Sequence, residues 1–114
     1  MKTRKHIQTV LIVTAFIFGA SVVRAGDVKE IWEKNCVSCH GKDGRGDTKM
    51  GRKAGVKDYT DSKVQAEMQD DKATKTIKEG IKEKGKEVMK QFGDKLTDEE
   101  IKELIAYMRS FKKS

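Results

Sequence analysis

The stretch Cys36-Val37-Ser38-Cys39-His40 decides how this sequence of 114 residues can fold. Two cysteines separated by two residues and followed directly by a histidine form the pattern at which a c-type haem is attached. Each thiol can add to one vinyl group of the porphyrin to form a thioether. The adjacent histidine then lies beneath the iron, for which neutral imidazole is a common ligand. The motif predicts Cys36 and Cys39 as thioether residues, His40 as the proximal iron ligand, and one haem c in the chain.

Three other kinds of site use closely spaced cysteines. A thioredoxin-like redox pair belongs to a strand-helix unit, and no strand pattern precedes Cys36. A structural zinc site needs four ligands, whereas the sequence adds only His40 and His6 to the two thiols. A disulfide across so short a loop is geometrically poor and would leave the adjacent histidine unexplained.

Residues 1–25 read as a secretory signal peptide. A positive N-terminal region is followed by an apolar core over residues 10–18 and by small residues at the cleavage positions, Val23 and Ala25. The alternative is an uncleaved anchor, but Gly19 and Ser21 interrupt an apolar run that is short for a span of about 20 residues. We expect cleavage after Ala25 and a domain over residues 26–114 in the periplasm that does not span the membrane.

The expected mature chain is one small domain. It has 89 residues, and a domain of this size buries little apolar surface. A haem held at three points would therefore add much to its stability. Removal of the signal peptide leaves 21 basic and 18 acidic side chains, a net charge of +3. The basic character of the full chain thus belongs partly to the signal, and nucleic-acid binding loses its main support.

The mature chain reads as helices joined by glycine-rich loops. Asp27 is the expected cap of a first helix that leads to Cys36. The spacing predicts an irregular stretch to about residue 60, a short helix over 64–68, and a further helix that is capped by Asp70 or Asp71 and ends at Gly80. Residues 81–96 are expected to form a loop rich in lysine and glutamate.

The last helix carries the clearest signals. Thr97 and Glu100 form a capping box at its start. Apolar residues then recur at helical spacing, at Ile101, Leu104, Ile105, Met108 and Phe111.

These features together resemble the class I c-type cytochromes, specifically the small bacterial periplasmic monohaem type. The exported N-terminus, the first helix ending in the haem motif and Gly41, the glycine-rich loop and the terminal helix over 104–111 carry the resemblance, which covers essentially all of residues 26–114. It implies an all-α fold of three to five helices wrapped around one covalently attached haem. In this family the first and last helices cross, and Trp32 and Tyr107 match the aromatic pair that packs there.

The resemblance also implies a methionine as the second iron ligand, from a loop shortly before the terminal helix. Met89 stands in that loop, 49 residues beyond His40. Met50 follows the motif closely, while Met68 and Met108 lie at positions where filling the core is the ordinary role. Gap filling is also the alternative role for Met89. The implied ligand pair is therefore His40 and Met89.

Two family features are missing because the sequence contains no proline. Lys90 follows Met89, where the family commonly has proline, so the ligand loop has one restraint fewer. A second proline normally supplies the carbonyl that accepts a hydrogen bond from the proximal histidine. Because such acceptors are usual for ligand histidines, we expect a backbone oxygen near residues 49–51 in that role.

A His/Met pair leaves the iron no open position, and a thioether ligand raises its reduction potential. The predicted function is single-electron transfer in the periplasm, by a monomer that is not an enzyme. One alternative is a haem protein that binds or senses a ligand when Met89 is displaced. A second is an electron-transfer module docked to a larger oxidoreductase.

Redox protein partners are expected to have acidic docking surfaces. Residues 41–57 carry six basic and two acidic side chains, a local charge of +4 that would steer such partners. A solvated loop that only maintains solubility is the alternative. By position, Arg45, Arg52 and Tyr59 are candidates for contact with the haem propionates.

Overall fold

The computed structural model describes residues 14, 15, 19 and 25–113. The predicted signal peptide thus lies almost entirely outside the described residues. The described part contains six helices and one hairpin, in the order α1 (Ala25–Asn35), α2 (Val37–His40), α3 (Lys49–Ala54), α4 (Ser62–Glu67), α5 (Asp70–Glu79), β1 (Ile81–Glu83), β2 (Lys86–Met89) and α6 (Asp98–Ser110). The predicted cytochrome-like helical class is confirmed, but the described residues form six helices where three to five were expected. Every helix in this part is too short or too polar to cross a membrane.

The first and last helices, α1 and α6, pack against each other, as expected. Trp32 is only 2% exposed, and its ring centroid lies 5.7 Å from that of Tyr107 in an edge-to-face arrangement. Buried apolar side chains from both helices, together with Ile77 and Phe92, form the core. Those of α1 and α6 are Val28, Trp32, Ile101, Leu104, Ile105 and Met108.

Helix α6 begins as its sequence predicts. The backbone N–H of Glu100 donates to Oγ1 of Thr97 at 3.1 Å, and the N–H of Thr97 donates to Oε1 of Glu100 at 3.0 Å. Both bonds satisfy donors that a helix start otherwise leaves free. In α1, by contrast, the helix already begins at Ala25, so Asp27 lies in the first turn instead of capping it.

The start of α5 differs from the prediction. Gln69 is its N-cap residue, and neither Asp70 nor Asp71 caps the helix. The Asp70 carboxylate instead accepts from Arg109 at 2.6 Å. The same guanidinium donates to the carbonyl oxygens of Gln65 at 2.6 Å and Met68 at 2.7 Å. Arg109 therefore ties the end of α6 to the connection between α4 and α5.

A short helix, α3, lies within the stretch predicted to be irregular. Oγ1 of Thr48 accepts from the backbone N–H of Gly51 at 2.8 Å and caps its start. The helix spans six residues, which is too short for an apolar periodicity to reveal it.

A hairpin, β1–β2, occupies part of the predicted loop over 81–96. Ile81 pairs with Met89 and Glu83 with Lys86, and a bulge follows Ile81. The turn residues Lys84 and Gly85 both have positive φ, 49° and 75°, as a tight two-residue turn requires. Because the strands are mostly exposed, no alternation of apolar and polar residues marks them, and the loop prediction was wrong here.

Candidate functional site

A cavity of about 680 Å³ is lined by residues of both α2 and the hairpin. The four predicted site residues, Cys36, Cys39, His40 and Met89, all contribute to its wall. Side chains of the core, including Phe92 and Leu104, line it as well. The fold thus brings the haem motif and the segment before the terminal helix to one largely apolar space.

Helical hydrogen bonds hold the motif in shape. The N–H of Cys36 donates to the carbonyl of Trp32 at 2.9 Å, and the N–H of His40 donates to that of Cys36 at 2.9 Å. The backbone therefore passes from α1 into α2 with little interruption. This turn carries both thiols and the imidazole to the same cavity wall.

Residues of the loop that follows the motif form hydrogen bonds to the last residues of the motif, and we call these bonds the clamp. Oγ1 of Thr48 donates to the carbonyl of Cys39 at 2.9 Å, and the N–H of Gly46 donates to that of His40 at 2.8 Å. Nε1 of Trp32 donates to the carbonyl of Gly41 at 3.0 Å. The bond to Gly41 is buried and that to Cys39 is part-buried, and a buried carbonyl without a partner is costly.

Both thiols are free and half-buried. Burial, followed by the proximity of Cys39, raises the pKa of Cys36 to about 11. Cys36 is therefore a neutral thiol near pH 7. The structure gives no support to a disulfide between the two cysteines.

His40 is also set in a desolvated environment. Burial lowers the pKa of its imidazole, which favours the neutral form that binds iron. Its Nδ1 atom is buried and has no hydrogen-bond partner within the described residues. The acceptor expected near residues 49–51 is therefore not found, since the carbonyl of Gly51 accepts from Val56 instead, at 3.0 Å.

Met89 lies half-buried at the end of β2. Two backbone bonds hold the segment that follows it against α5: the N–H of Phe92 donates to the carbonyl of Ile77 at 2.9 Å, and that of Gly93 donates to Lys78 at 3.1 Å. Met50, Met68 and Met108 line the same cavity. Met50 belongs to α3, which packs against the motif helix, and Met108 belongs to the core.

Comparison with known proteins identifies the family to which this chain belongs. A family model described as "Cytochrome C oxidase, cbb3-type, subunit III" matches residues 23–108. The chain belongs to this family of c-type cytochromes. The solved structure of the KustC0563 c-type cytochrome shares 35% sequence identity and a TM-score of 0.67, covering 75% of this chain and 96% of that one. A tyrosine-to-phenylalanine variant of the same protein matches at 35% identity and a TM-score of 0.66, covering 75% of this chain and 99% of that one. No curated protein matches.

The cofactor of this cytochrome is covalently bound haem c with its iron, and its function is haem-based electron transfer. The residues present fit that group. Two free thiols, an imidazole kept neutral by burial, and a cavity walled largely by apolar side chains are what a covalently held porphyrin requires. Family membership also indicates an electron carrier rather than an enzyme.

The three side chains that the sequence offered as contacts for the haem propionates lie in different places. Tyr59 lines the cavity, whereas Arg45 and Arg52 are absent from its described wall. Arg45 pairs with Asp43 at 3.5 Å, and Arg52 pairs with Asp47. The two arginines thus form ion pairs with exposed carboxylates, and of the three candidates only Tyr59 lines the cavity.

Sequence reasoning did not identify Gln65, a buried polar residue that joins three parts of this cytochrome. Its Nε2 donates to the carbonyl of Tyr59 at 2.7 Å and to that of Met108 at 2.8 Å. A lone glutamine in a short helix carries no sequence signal of such a role, because both acceptors are backbone atoms and that of Met108 lies 43 residues away.

Proposed function

We propose that this cytochrome carries single electrons in the periplasm on a haem with thioether bonds to Cys36 and Cys39 and iron bonds to His40 and Met89. The observation that carries the proposal is the position of all four side chains on the wall of one cavity, although Met89 comes from a separate element. The haem supplies a one-electron couple between ferric and ferrous iron.

The protein's own part is to bind and orient the haem and to shield it from water. The clamped motif helix holds three of the four attachment atoms, and the core residues around the cavity exclude water from the porphyrin. Because His40 and Met89 would fill both axial positions, the proposal needs no catalytic acid, base or nucleophile. An electron can then be exchanged with little rearrangement.

Replacing Met89 by alanine tests the second ligand. We expect the wild type, taken from the periplasmic fraction and beginning at Gly26, to show the iron-sulfur charge-transfer band and to ignore carbon monoxide. Met89→Ala should keep its haem, lose the band and bind the gas, because one axial position opens. Optical spectra of the ferric and carbonyl-treated ferrous forms measure both effects.

Met50→Ala is the matched control, since Met50 also lines the cavity but is 57% exposed on α3. It should keep the band. A wild type that binds carbon monoxide readily would contradict the His/Met assignment and favour a protein that binds or senses a ligand.

The partner surface proposed for this carrier is basic and lies near the motif. Residues 41–57 hold the local charge of +4, and Lys57 belongs to the cavity wall. We expect electron transfer to an acidic redox protein to slow at least several-fold between low and physiological ionic strength, because exposed charges are screened. Stopped-flow rates would measure this. A rate independent of salt would contradict steering.

The description of the matched family favours one second candidate. It names a subunit of a larger oxidase, so this chain would be an electron-transfer module that works when docked to an oxidoreductase. A stable complex recovered from detergent-solubilised membranes would favour that role over the free carrier, which should elute as a monomer.

A further inference from the structure

Within the part of the chain that the structure describes, the imidazole of His40 lacks the hydrogen-bond partner that usually orients a ligand histidine. Ligand histidines almost always donate their second ring N–H to a carbonyl, carboxylate or water, which fixes the ring and raises its basicity. Among the described residues no atom accepts from Nδ1 of His40, although this atom is buried. Some other contact must therefore set the rotation of the ring about its Cβ–Cγ bond.

Two aromatic rings flank the imidazole. The Tyr59 ring lies 5.5 Å from it between centroids with an interplanar angle of 22°, a stacked arrangement. The Trp32 ring lies 5.6 Å away at 41°. Both separations fall in the range at which aromatic side chains attract each other with a preferred geometry. A rotated imidazole would lose the parallel contact with Tyr59.

Hydrogen bonds hold the ring of Trp32 and the backbone of Tyr59. Trp32 donates through Nε1 to the carbonyl of Gly41 at 3.0 Å. The backbone of Tyr59 is fixed at both ends: its N–H donates to Gly44 at 2.9 Å, and its carbonyl accepts from the buried Gln65 at 2.7 Å. Trp32 thus belongs to α1, and the backbone of Tyr59 is tied to α4.

We propose that Tyr59 is a positioning residue that fixes the orientation of the His40 ring by stacking, with Trp32 as a second neighbouring ring, in place of a carbonyl acceptor. This inference rests on the proposed function, because it takes His40 as the iron ligand. It also assigns the aromatic face of Tyr59, and not its hydroxyl, as the active feature. The imidazole then remains a weaker electron donor than one hydrogen-bonded to a carbonyl.

Two substitutions of Tyr59 in the holoprotein test this role. Tyr59→Phe keeps the face and should leave the low-temperature electron paramagnetic resonance spectrum of the ferric form and the midpoint potential unchanged. Tyr59→Leu removes the face and should broaden or split the g values and shift the potential, because the imidazole plane is no longer fixed. Phe111→Leu is the control for general loss of aromatic packing, since the Phe111 ring packs on that of Trp32 in a tilted arrangement, with 5.1 Å between centroids. It should lower the melting temperature and leave the g values unchanged.

Two results would overturn the proposal: a Tyr59→Leu spectrum identical to that of the wild type, or equal shifts in the Phe and Leu variants, which would point to the hydroxyl. If the Tyr59→Leu variant does not mature, a measurement on the wild type tests the proposal. Nuclear Overhauser contacts between the ring protons of His40 and Tyr59 in the diamagnetic ferrous state are required, and their absence overturns the stack. Failure of the proposed function looks different, because the wild type would then lack a histidine-ligated haem.

Discussion

Replacing both Cys36 and Cys39 by alanine should abolish covalent haem attachment. The two thiols belong to the cavity wall, as His40 does, and a porphyrin without thioether bonds would be held only by its iron ligands and apolar contacts. We expect no haem to remain with the polypeptide after denaturation and organic extraction. Haem staining of a denaturing gel and the absorbance of the purified protein measure this directly.

The same double variant should also lose most of its fold. The core of the described residues contains eight buried apolar side chains, and a small domain buries too little apolar surface to tolerate a large wet cavity. Circular dichroism should show a large loss of helix. Ser38→Ala is the control inside the motif, because Ser38 is exposed between the two thiols, and it should mature normally. Haem that stays attached in the double variant would contradict the thioether assignment.

Replacing Gly51 by alanine should destabilise the protein strongly, although helix propensity predicts the opposite. Gly51 lies inside α3, where alanine is normally favoured over glycine by about 1 kcal/mol. A Cβ atom at Gly51 would lie 2.5 Å from the carbonyl oxygen of Gly46 and even closer to that of Cys39. The oxygen of Cys39 also accepts from Thr48 at 2.9 Å, so it cannot move without breaking the clamp on the haem motif.

We therefore expect Gly51→Ala to lower the free energy of unfolding by about 3 kcal/mol and to reduce the yield of holoprotein. Chemical denaturation of the purified holoprotein measures the first effect. Gly55→Ala is the matched control at the end of the same helix. Gly55 has φ of 69° and nothing within 4 Å of an added Cβ, so only backbone strain of about 1–2 kcal/mol applies. Equal stability of Gly51→Ala and the wild type would contradict the close approach.

The sequence predicted those parts of the fold that have local or strongly periodic signals. The capping box at Thr97 and the apolar face of α6 both appear in the structure, because each depends on residues three or four positions apart. The haem motif is equally local. Its place after a first helix and its pairing with the terminal helix make the resemblance to a c-type cytochrome specific.

The parts that could not be predicted depend on contacts between distant residues. Asp70 fails as a cap because Arg109, 39 positions away, binds its carboxylate. The hairpin gave no strand signal, since its exposed side chains do not alternate and its turn uses Lys84 where asparagine or aspartate is typical. The stacking of Tyr59 on His40 likewise brings together residues that no spacing rule connects.

The hairpin also divides the site into a rigid half and a loosely attached half. The motif helix contacts α1 and α3 and is hydrogen-bonded to the loop over 41–48. Met89, by contrast, is the last residue of a two-stranded hairpin whose residues are mostly exposed. Partial opening of a protein begins where few buried contacts resist it. The Met89 side should therefore open independently, while the porphyrin stays bound to the helix that carries both sulfur atoms. With Met89 as the proposed second iron ligand, we therefore expect that ligand to be exchanged without unfolding of the rest of the cytochrome.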